Sequence, residues 1–337
     1  MSSQQATTNQ ATGGAGIVRL LLIAAAIFAP IWLAFHYTPH HEGDSPFETL
    51  YLHVVPSTLD ANAGHHGPDH VAAPVMVSLP FEVPLLKGRV SEARVEWSNQ
   101  LPFTNLQLFQ LAAVLLIFIC FSGVPAYLRT GRGDYVTRLF AGFAQWIRDE
   151  MVYPVMGREQ GAKLLPYFLT IFFFIMFMNL LGLLPGAATA TASIFVTMAL
   201  ALTTLIMMIG GGMAVQGPVA YWKHLVPHVP AAIWPLMFLV EVVGVLVKPF
   251  ALMIRLFANM TGGHLVVLSF MGLLFLVAGK ATGAIEGNEA GAWAASPLVV
   301  GFAVFIMIVE SFVALLQAYV FTMLSLLFIQ SSLHPEH

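Results

Sequence analysis

The sequence predicts an all-α membrane protein that crosses the bilayer several times. Of its 337 residues, 58% are hydrophobic and only 9% are charged, against roughly 45–50% and about 25% in soluble domains. So few charges could not cover the surface of a soluble protein of this size, which excludes cytosolic enzymes, nucleic-acid binders and disordered chains. The single cysteine, Cys120, lies in an apolar run, so the sequence has neither a disulfide framework nor a thiolate metal cluster.

The first hundred residues predict three unlike segments. Residues 1–16 are uncharged and rich in Ser, Gln, Ala and Thr, and we expect them to be disordered. Residues 17–36 are apolar and predict a signal peptide or an extra membrane helix; no clear cleavage site follows, which favours a retained helix. Residues 37–103 are polar and rich in His and Pro, with strand-like alternation over 74–83, and predict an extracytoplasmic segment.

Apolar runs then predict a membrane domain over 104–332, with its first span over 104–128. The loop 129–163 carries six bases and four acids, so the positive-inside rule places it in the cytoplasm and residues 37–103 outside. Apolar side chains at helical spacing in this loop predict an amphipathic helix on the membrane surface, over about 134–151. Its apolar face comprises Val136, Leu139, Phe140, Phe143 and Ile147.

Two upright spans, over 164–184 and 190–215, precede two apolar runs that are too long for upright helices. Residues 231–278 would form a helix about 72 Å long and 296–329 one about 51 Å long, whereas the hydrocarbon core is about 30 Å thick. The first run could be two spans broken at an internal proline or glycine pair, but the second is too short for two. We therefore expect a hairpin of two long, strongly tilted helices over 231–329, joined by a polar link.

Four charged residues lie inside these long runs, where a charge costs about 2.5–3.5 kcal/mol on insertion scales. They are Glu241, Lys248, Arg255 and Glu310. Glu241 and Lys248 could reach an interface by snorkelling, but Arg255 stands more than 20 residues from either end of its run. Because arginine keeps its proton in proteins, Arg255 requires a carboxylate or water. A carboxylate partner would be either Glu310 or a group on another chain.

An antiparallel hairpin would match polar residues at equal depth. Symmetry about the polar link pairs His264 with Glu310. It also places Gln317 level with both Arg255 and Asn259. Histidine and glutamate in such a setting can exchange protons near neutral pH, which suits a stepwise proton path. Arg255 is left beside a neutral neighbour, so we expect its carboxylate on a partner subunit.

Several motifs resemble, in order, those of the a subunit of F-type ATP synthase. The strings are Met178-Asn-Leu-Leu-Gly-Leu-Leu-Pro185, Lys248-Pro249, Arg255-Leu-Phe-Ala-Asn-Met-Thr-Gly-Gly-His264, and Glu310 followed by Gln317-Ala-Tyr-Val-Phe. The resemblance covers about residues 100–332. Several motifs in one order are far more specific than a single short pattern.

The resemblance implies the stator half of a rotary proton path, with no catalytic site of its own and no cofactor. It implies that the long hairpin faces a c-ring, where Arg255 meets the ring carboxylates and stops protons leaking between two half-channels. It implies that polar residues line the path: His264, Glu310, Gln317, Asn259, Glu241, Lys248 and Asn179. The implied partners are the c-ring, the b subunits of the peripheral stalk, the lipid bilayer and the translocated H⁺, with no nucleic acid. No transit peptide is seen, which favours a bacterial inner membrane.

Two other classes of protein stay open at this point. An ion-coupled secondary transporter with broken helices could carry midplane charges, but the sequence shows no inverted repeat. A membrane enzyme that uses a metal ranks last. His65, His66 and His70 could bind Zn²⁺ or Cu²⁺, although a solvated loop is the simpler expectation for this stretch.

Overall fold

The computed structural model describes most of the chain and shows a nearly all-helical protein. The described residues are 2–37, 59, 75–87, 94–184, 187, 189–225, 230, 233–282 and 289–334. Within them, six helices are long and apolar enough to span a membrane, which confirms the predicted all-α, multi-pass class. The histidines at 65, 66 and 70 lie outside the described residues.

A single strand pair stands apart from the helices of the described chain. Strand β1 (Met76–Lys87) pairs antiparallel with β2 (Arg94–Pro102), in the segment predicted to be extramembrane. The register shifts between Ser78 and Val83. That interval contains Pro80, which has no N–H for a ladder hydrogen bond.

The helices follow the predicted order of spans. They are α1 (Ser2–Tyr37), α2 (Asn105–Phe121), α3 (Val124–Thr130), α4 (Tyr135–Trp146), a π-helix (Ile147–Val152), α5 (Tyr153–Gly182), a 3₁₀ turn (Ala190–Ala192), α6 (Ile194–Gln216), α7 (Pro218–His224), α8 (Trp234–Thr282) and α9 (Glu289–Leu333). Each span is built from an apolar run that satisfies its backbone hydrogen bonds internally, as lipid requires.

The N-terminal residues 1–16 were expected to be disordered, whereas helix α1 begins at Ser2. Ala and Gln are good helix formers, and the apolar helix that follows gives these residues a long helix to extend. The connection after α6 contains α7, which opens with Pro218, a favourable residue for the first turn.

The predicted surface helix over about 134–151 is not a separate element. Helix α4 ends at Trp146, and the chain passes through the π-helix directly into α5. The predicted apolar face therefore divides between two environments. Ile147 is fully buried where the chain enters the core, whereas Leu139 remains exposed.

Helix α5 lies at the centre of the core. Its side chains Phe168, Phe173 and Met178 are at most 1% exposed, and the helix packs against α2 and α9. The helix bends at Gly157, where φ is 73° and ψ is 170°. A residue with a Cβ rarely adopts this conformation, so glycine permits the bend.

The two long apolar runs form two continuous helices that pack antiparallel. Helix α8 has 49 residues and α9 has 45, which makes each about 70 Å long. Helix α8 is unbroken at Pro249, so the two-span alternative is wrong. Both helices also extend into the predicted polar link, which leaves only residues 283–288 between them. Their tilt in a bilayer stays a prediction.

Candidate functional site

Arg255 lies on a face of α8 that points away from the core. Its neighbours Leu252 and Leu256 are at most 1% exposed, whereas Arg255 itself is exposed. In the part of the chain that the structure describes, no carboxylate forms an ion pair with Arg255. Glu310, the intramolecular candidate, is not its partner. The guanidinium therefore points outward and has no carboxylate partner among the described residues.

The next polar pair lies one turn further along α8. The Asn259 side-chain Nδ2 donates to Oε1 of Gln317 on α9, at 3.3 Å, as the antiparallel register predicted. Gln317 is only 5% exposed, and its Nε2 has no hydrogen-bond partner among the described residues. A buried amide donor of this kind favours water or another polar group nearby.

Glu310 is placed against the backbone of α8 at Gly263. A Cβ on residue 263 would collide with Oε1 of Glu310, so the glycine allows the carboxyl group to reach the helix. Within the described chain, Oε1 is buried and has no hydrogen-bond partner. A cavity of about 210 Å³ lies at this point, lined by Asn259, Gly263, Glu310 and apolar side chains. It is large enough for several water molecules.

His264 and Glu310 form no hydrogen bond in the described chain, so the pairing expected from the hairpin symmetry is not observed. Its Nε2 lies 2.5 Å from Oγ1 of Thr189, in the connection between α5 and α6. Successive helical residues point about 100° apart. Gly263 therefore faces Glu310 while His264 faces a different neighbour.

Asn179 is fully buried, and both its amide oxygen and its amide nitrogen form hydrogen bonds. Its Oδ1 accepts from Oγ1 of Thr191 at 2.8 Å, and its Nδ2 donates to the Ala314 carbonyl at 3.3 Å. These bonds join α5 to the 3₁₀ turn and to α9. Asn179 does not line the cavity beside Glu310.

Glu241 and Lys248 lie on the other side of Arg255 along α8. Both are partly buried. The Lys248 ammonium lies 5.8 Å from the centroid of the Phe328 ring, a favourable cation–π distance. The polar residues of the long hairpin thus form two sets, with Arg255 between them.

A second membrane arginine was not singled out from the sequence. Arg19 of α1 forms an ion pair with Asp134 at 3.2 Å. It also donates to Oγ1 of Thr137 and, at 3.4 Å, to Oγ of Ser122. We call Arg19, Ser122, Asp134 and Thr137 the Arg19 cluster. Its signal in the sequence was weak, because Arg19 lies more than 100 residues before the other members.

Among the described residues, no group of three or more His, Cys, Asp or Glu side chains converges on one point. Thr189 and Gly263 were also missed. Neither residue type suggests proton chemistry, and only the packing of α8 reveals their contacts.

Comparison with known proteins places most of the chain in one family. Residues 107–330 match the family described as ATP synthase A chain. The chain is 37% identical over 272 residues to ATP synthase subunit a of Myxococcus xanthus, covering 76% of this chain and 84% of that protein. It is 36% identical to the subunit a of an Anaeromyxobacter species (74% and 56%) and 39% identical to ATP synthase subunit a 2 of Chlorobaculum tepidum (67% and 61%). Helix α1 and the strand pair lie before the matched region.

Proposed function

The chain belongs to the ATP synthase A chain family, and we propose that Arg255 and the polar residues on either side of it form its proton path. Subunit a is the proton-translocating stator subunit of F0 and has no catalytic site of its own. A secondary transporter is not favoured.

The outward, unmatched charge of Arg255 carries this proposal. A permanent cation at membrane depth is costly unless it meets an anion or water. In the described chain its side chain is exposed and unpaired, which suits a carboxylate on a separate, moving subunit. A guanidinium beside such a carboxyl group favours its ionised form, so each passing carboxyl group must release its proton there.

The two polar sets on either side of Arg255 support two half-channels. His264, Glu310, Asn259 and Gln317 form the first set, beside the cavity. Glu241 and Lys248 form the second. A proton would enter by one set and leave by the other after a ring rotation, because Arg255 blocks the direct route. A membrane potential drives this movement at about 2.3 kcal/mol per charge per 100 mV.

The proposed partners are a ring of c subunits at the exposed face of the α8–α9 hairpin and the b subunits of a peripheral stalk. The proposed location is the bacterial plasma membrane, with loop 129–163 cytoplasmic and residues 37–103 outside. The Arg19 cluster supports this sidedness, because it joins the start of the apolar span of α1, which covers Gly16–Tyr37, to the end of α2. Both then lie on the side of the basic loop. The same contact favours α1 as a retained helix.

Proton flux in membrane vesicles containing the whole complex tests the role of Arg255. Arg255→Ala is expected to abolish ATP-driven pumping while passive proton conductance persists, because the barrier between half-channels is lost but the polar path remains. Arg148→Ala is a suitable control, since that exposed arginine pairs with Asp149 outside the hairpin. Unchanged pumping in Arg255→Ala would contradict the proposal.

A further inference from the structure

We propose that Thr189 is a positioning residue that leaves Nδ1 of His264 as the only ring nitrogen able to gain or lose a proton. This inference rests on the proposed function, in which His264 belongs to the proton path. It adds the atom through which the proton passes and the residue that selects it.

The Thr189 hydroxyl has two neighbours with different hydrogen-bonding capacities. Its Oγ1 lies 3.1 Å from the carbonyl oxygen of Gly182 and 2.5 Å from Nε2 of His264. A carbonyl oxygen can only accept, so the single hydroxyl hydrogen is directed to Gly182. The lone pair of Oγ1 then faces Nε2, and the contact is a hydrogen bond only if Nε2 carries a hydrogen.

The end of α5 holds the hydroxyl in this arrangement. Gly182 is the last residue of α5, and the last carbonyls of a helix have no donor within it. A Cβ on Gly182 would lie 2.8 Å from Oγ1 of Thr189, so glycine leaves the space that the hydroxyl needs. Thr189 is itself buried, at 6% exposure, where water competes little for its hydrogen.

A further contact holds α8 against this connection. Oγ1 of Thr261 lies 3.5 Å from the carbonyl oxygen of Ala192, one turn before His264 on α8. The imidazole is thus placed by its own hydrogen bond and by the docking of its helix. Both contacts orient the Nε2 edge toward the α5–α6 connection.

The fixed Nε2–H group determines where His264 gains and loses a proton. Neutral His264 carries one hydrogen, on Nε2, and a lone pair on Nδ1. An arriving proton forms a new N–H bond at Nδ1 and gives the imidazolium, whose Nε2–H still donates to Thr189. The same Nδ1–H bond breaks when the proton leaves. His264 therefore receives and releases protons at one edge of its ring, instead of passing them from one nitrogen to the other.

The test compares Thr189→Val, which keeps the side-chain shape but removes the hydroxyl, with Thr189→Ser, which keeps the hydroxyl. The readout is ATP-driven proton pumping per assembled complex in vesicles. We expect Thr189→Val to lower the rate about tenfold and Thr189→Ser to stay within about twofold of the parent, since only the hydroxyl fixes the ring. Thr322→Val is the matched control, because that buried hydroxyl has no partner in the described chain.

A spectroscopic measurement separates positioning from simple packing. The complex is labelled with ¹⁵N-histidine, and the spectrum of His264→Gln is subtracted to isolate the His264 signals. The parent should show neutral His264 as the Nε2–H form alone, and Thr189→Val should show both neutral forms. If Thr189→Val does not assemble, Thr189→Ala removes the same hydroxyl without adding a methyl group at its position.

The variant His264→Ala separates failure of the proposed function from failure of the Thr189 proposal. Full pumping in His264→Ala would remove His264 from the proposed path, and with it the proposed function of this residue. Loss of pumping in His264→Ala together with full pumping in Thr189→Val would overturn the Thr189 proposal alone. Equal losses in Thr189→Ser and Thr189→Val would also overturn it, because the hydroxyl would then be irrelevant.

Discussion

Arg19 and Arg255 both lie in apolar helices, yet their surroundings are opposite. Arg19 is enclosed by Asp134, Thr137 and Ser122, and its side chain is 17% exposed. Arg255 is exposed and has no carboxylate partner in the described chain. A membrane arginine that its own chain neutralises serves the fold. One that its own chain leaves unmatched is available to a partner.

Other buried polar groups divide in the same way. Asn179 is buried with both ends of its amide matched. Glu310 and Gln317 each have one buried polar atom that lacks a partner among the described residues. Buried polar atoms are normally paired, so this region has been left incomplete where the proton path is proposed.

The largest expected effect contrasts the two arginines directly. Arg255→Gln should lower ATP-driven pumping at least about 100-fold, because a charge aimed at the reacting group is lost. Arg19→Gln should leave pumping per assembled complex within about twofold and instead lower stability by about 1–3 kcal/mol, because Asp134 loses its ion pair. Pumping and thermal unfolding of both variants measure the contrast. Similar pumping losses in both variants would contradict the different roles of Arg19 and Arg255.

Two adjacent glycines test the region around Glu310 and Gln317, where buried polar atoms lack partners among the described residues. Gly263→Ala places a methyl group where the Glu310 carboxyl group now lies, so pumping should fall about tenfold as that group is displaced. Gly262→Ala is the matched control, since a Cβ there meets no atom within 4 Å. Equal pumping rates in the two variants would show that the position of Glu310 is unimportant.

In the Arg19 cluster, where the polar groups are paired, we expect a substitution to lower stability without changing pumping. A Cβ on Gly123 would lie 2.6 Å from Oγ1 of Thr137 and 2.7 Å from Nη2 of Arg19. Gly123→Ala should therefore cost about 1–3 kcal/mol of stability through overpacking, with pumping per assembled complex retained. Gly142→Ala, which meets no atom within 4 Å, should cost nothing. The prediction is wrong if thermal unfolding of the two variants coincides.

The smallest effect is expected where a buried hydroxyl already lacks a partner. Thr322→Val should change stability by no more than about 0.5 kcal/mol, because no hydrogen bond within the described chain is lost. Thr191→Val should cost about 1–2 kcal/mol, because Asn179 loses its donor. Thermal unfolding of the two complexes gives the comparison. A larger loss in Thr322→Val would reveal a contact that the described chain does not contain.

The spans and the isolated charge could be predicted from sequence because each depends on local composition. Apolar runs fix the helices, and a charge far from both ends of a run, such as Arg255, is visible without a structure. The pairing of Asn259 with Gln317 could also be predicted from the sequence, since an antiparallel pair of continuous helices has a simple register.

The remaining contacts depend on details that local patterns do not contain. His264 and Glu310 lie near the same level, but the rotation between residues 263 and 264 sends them to different neighbours. The Arg19 cluster joins residues more than 100 positions apart. The disorder expected for residues 1–16 was inferred from polarity, which does not exclude extension of an adjoining helix.

The bend at Gly157 has a mechanical consequence. Helix α4 and the part of α5 that follows Gly157 are joined through a π-helix and one non-helical residue. Each residue contributes two soft backbone torsions. The single non-helical residue at this bend therefore supplies about two flexible torsions, whereas a loop of several residues would supply many. A force applied to the helix on one side of Gly157 is therefore transmitted to the helix on the other side with little deformation of the connection. A short and continuous connection of this kind suits a subunit that belongs to the stator of F0.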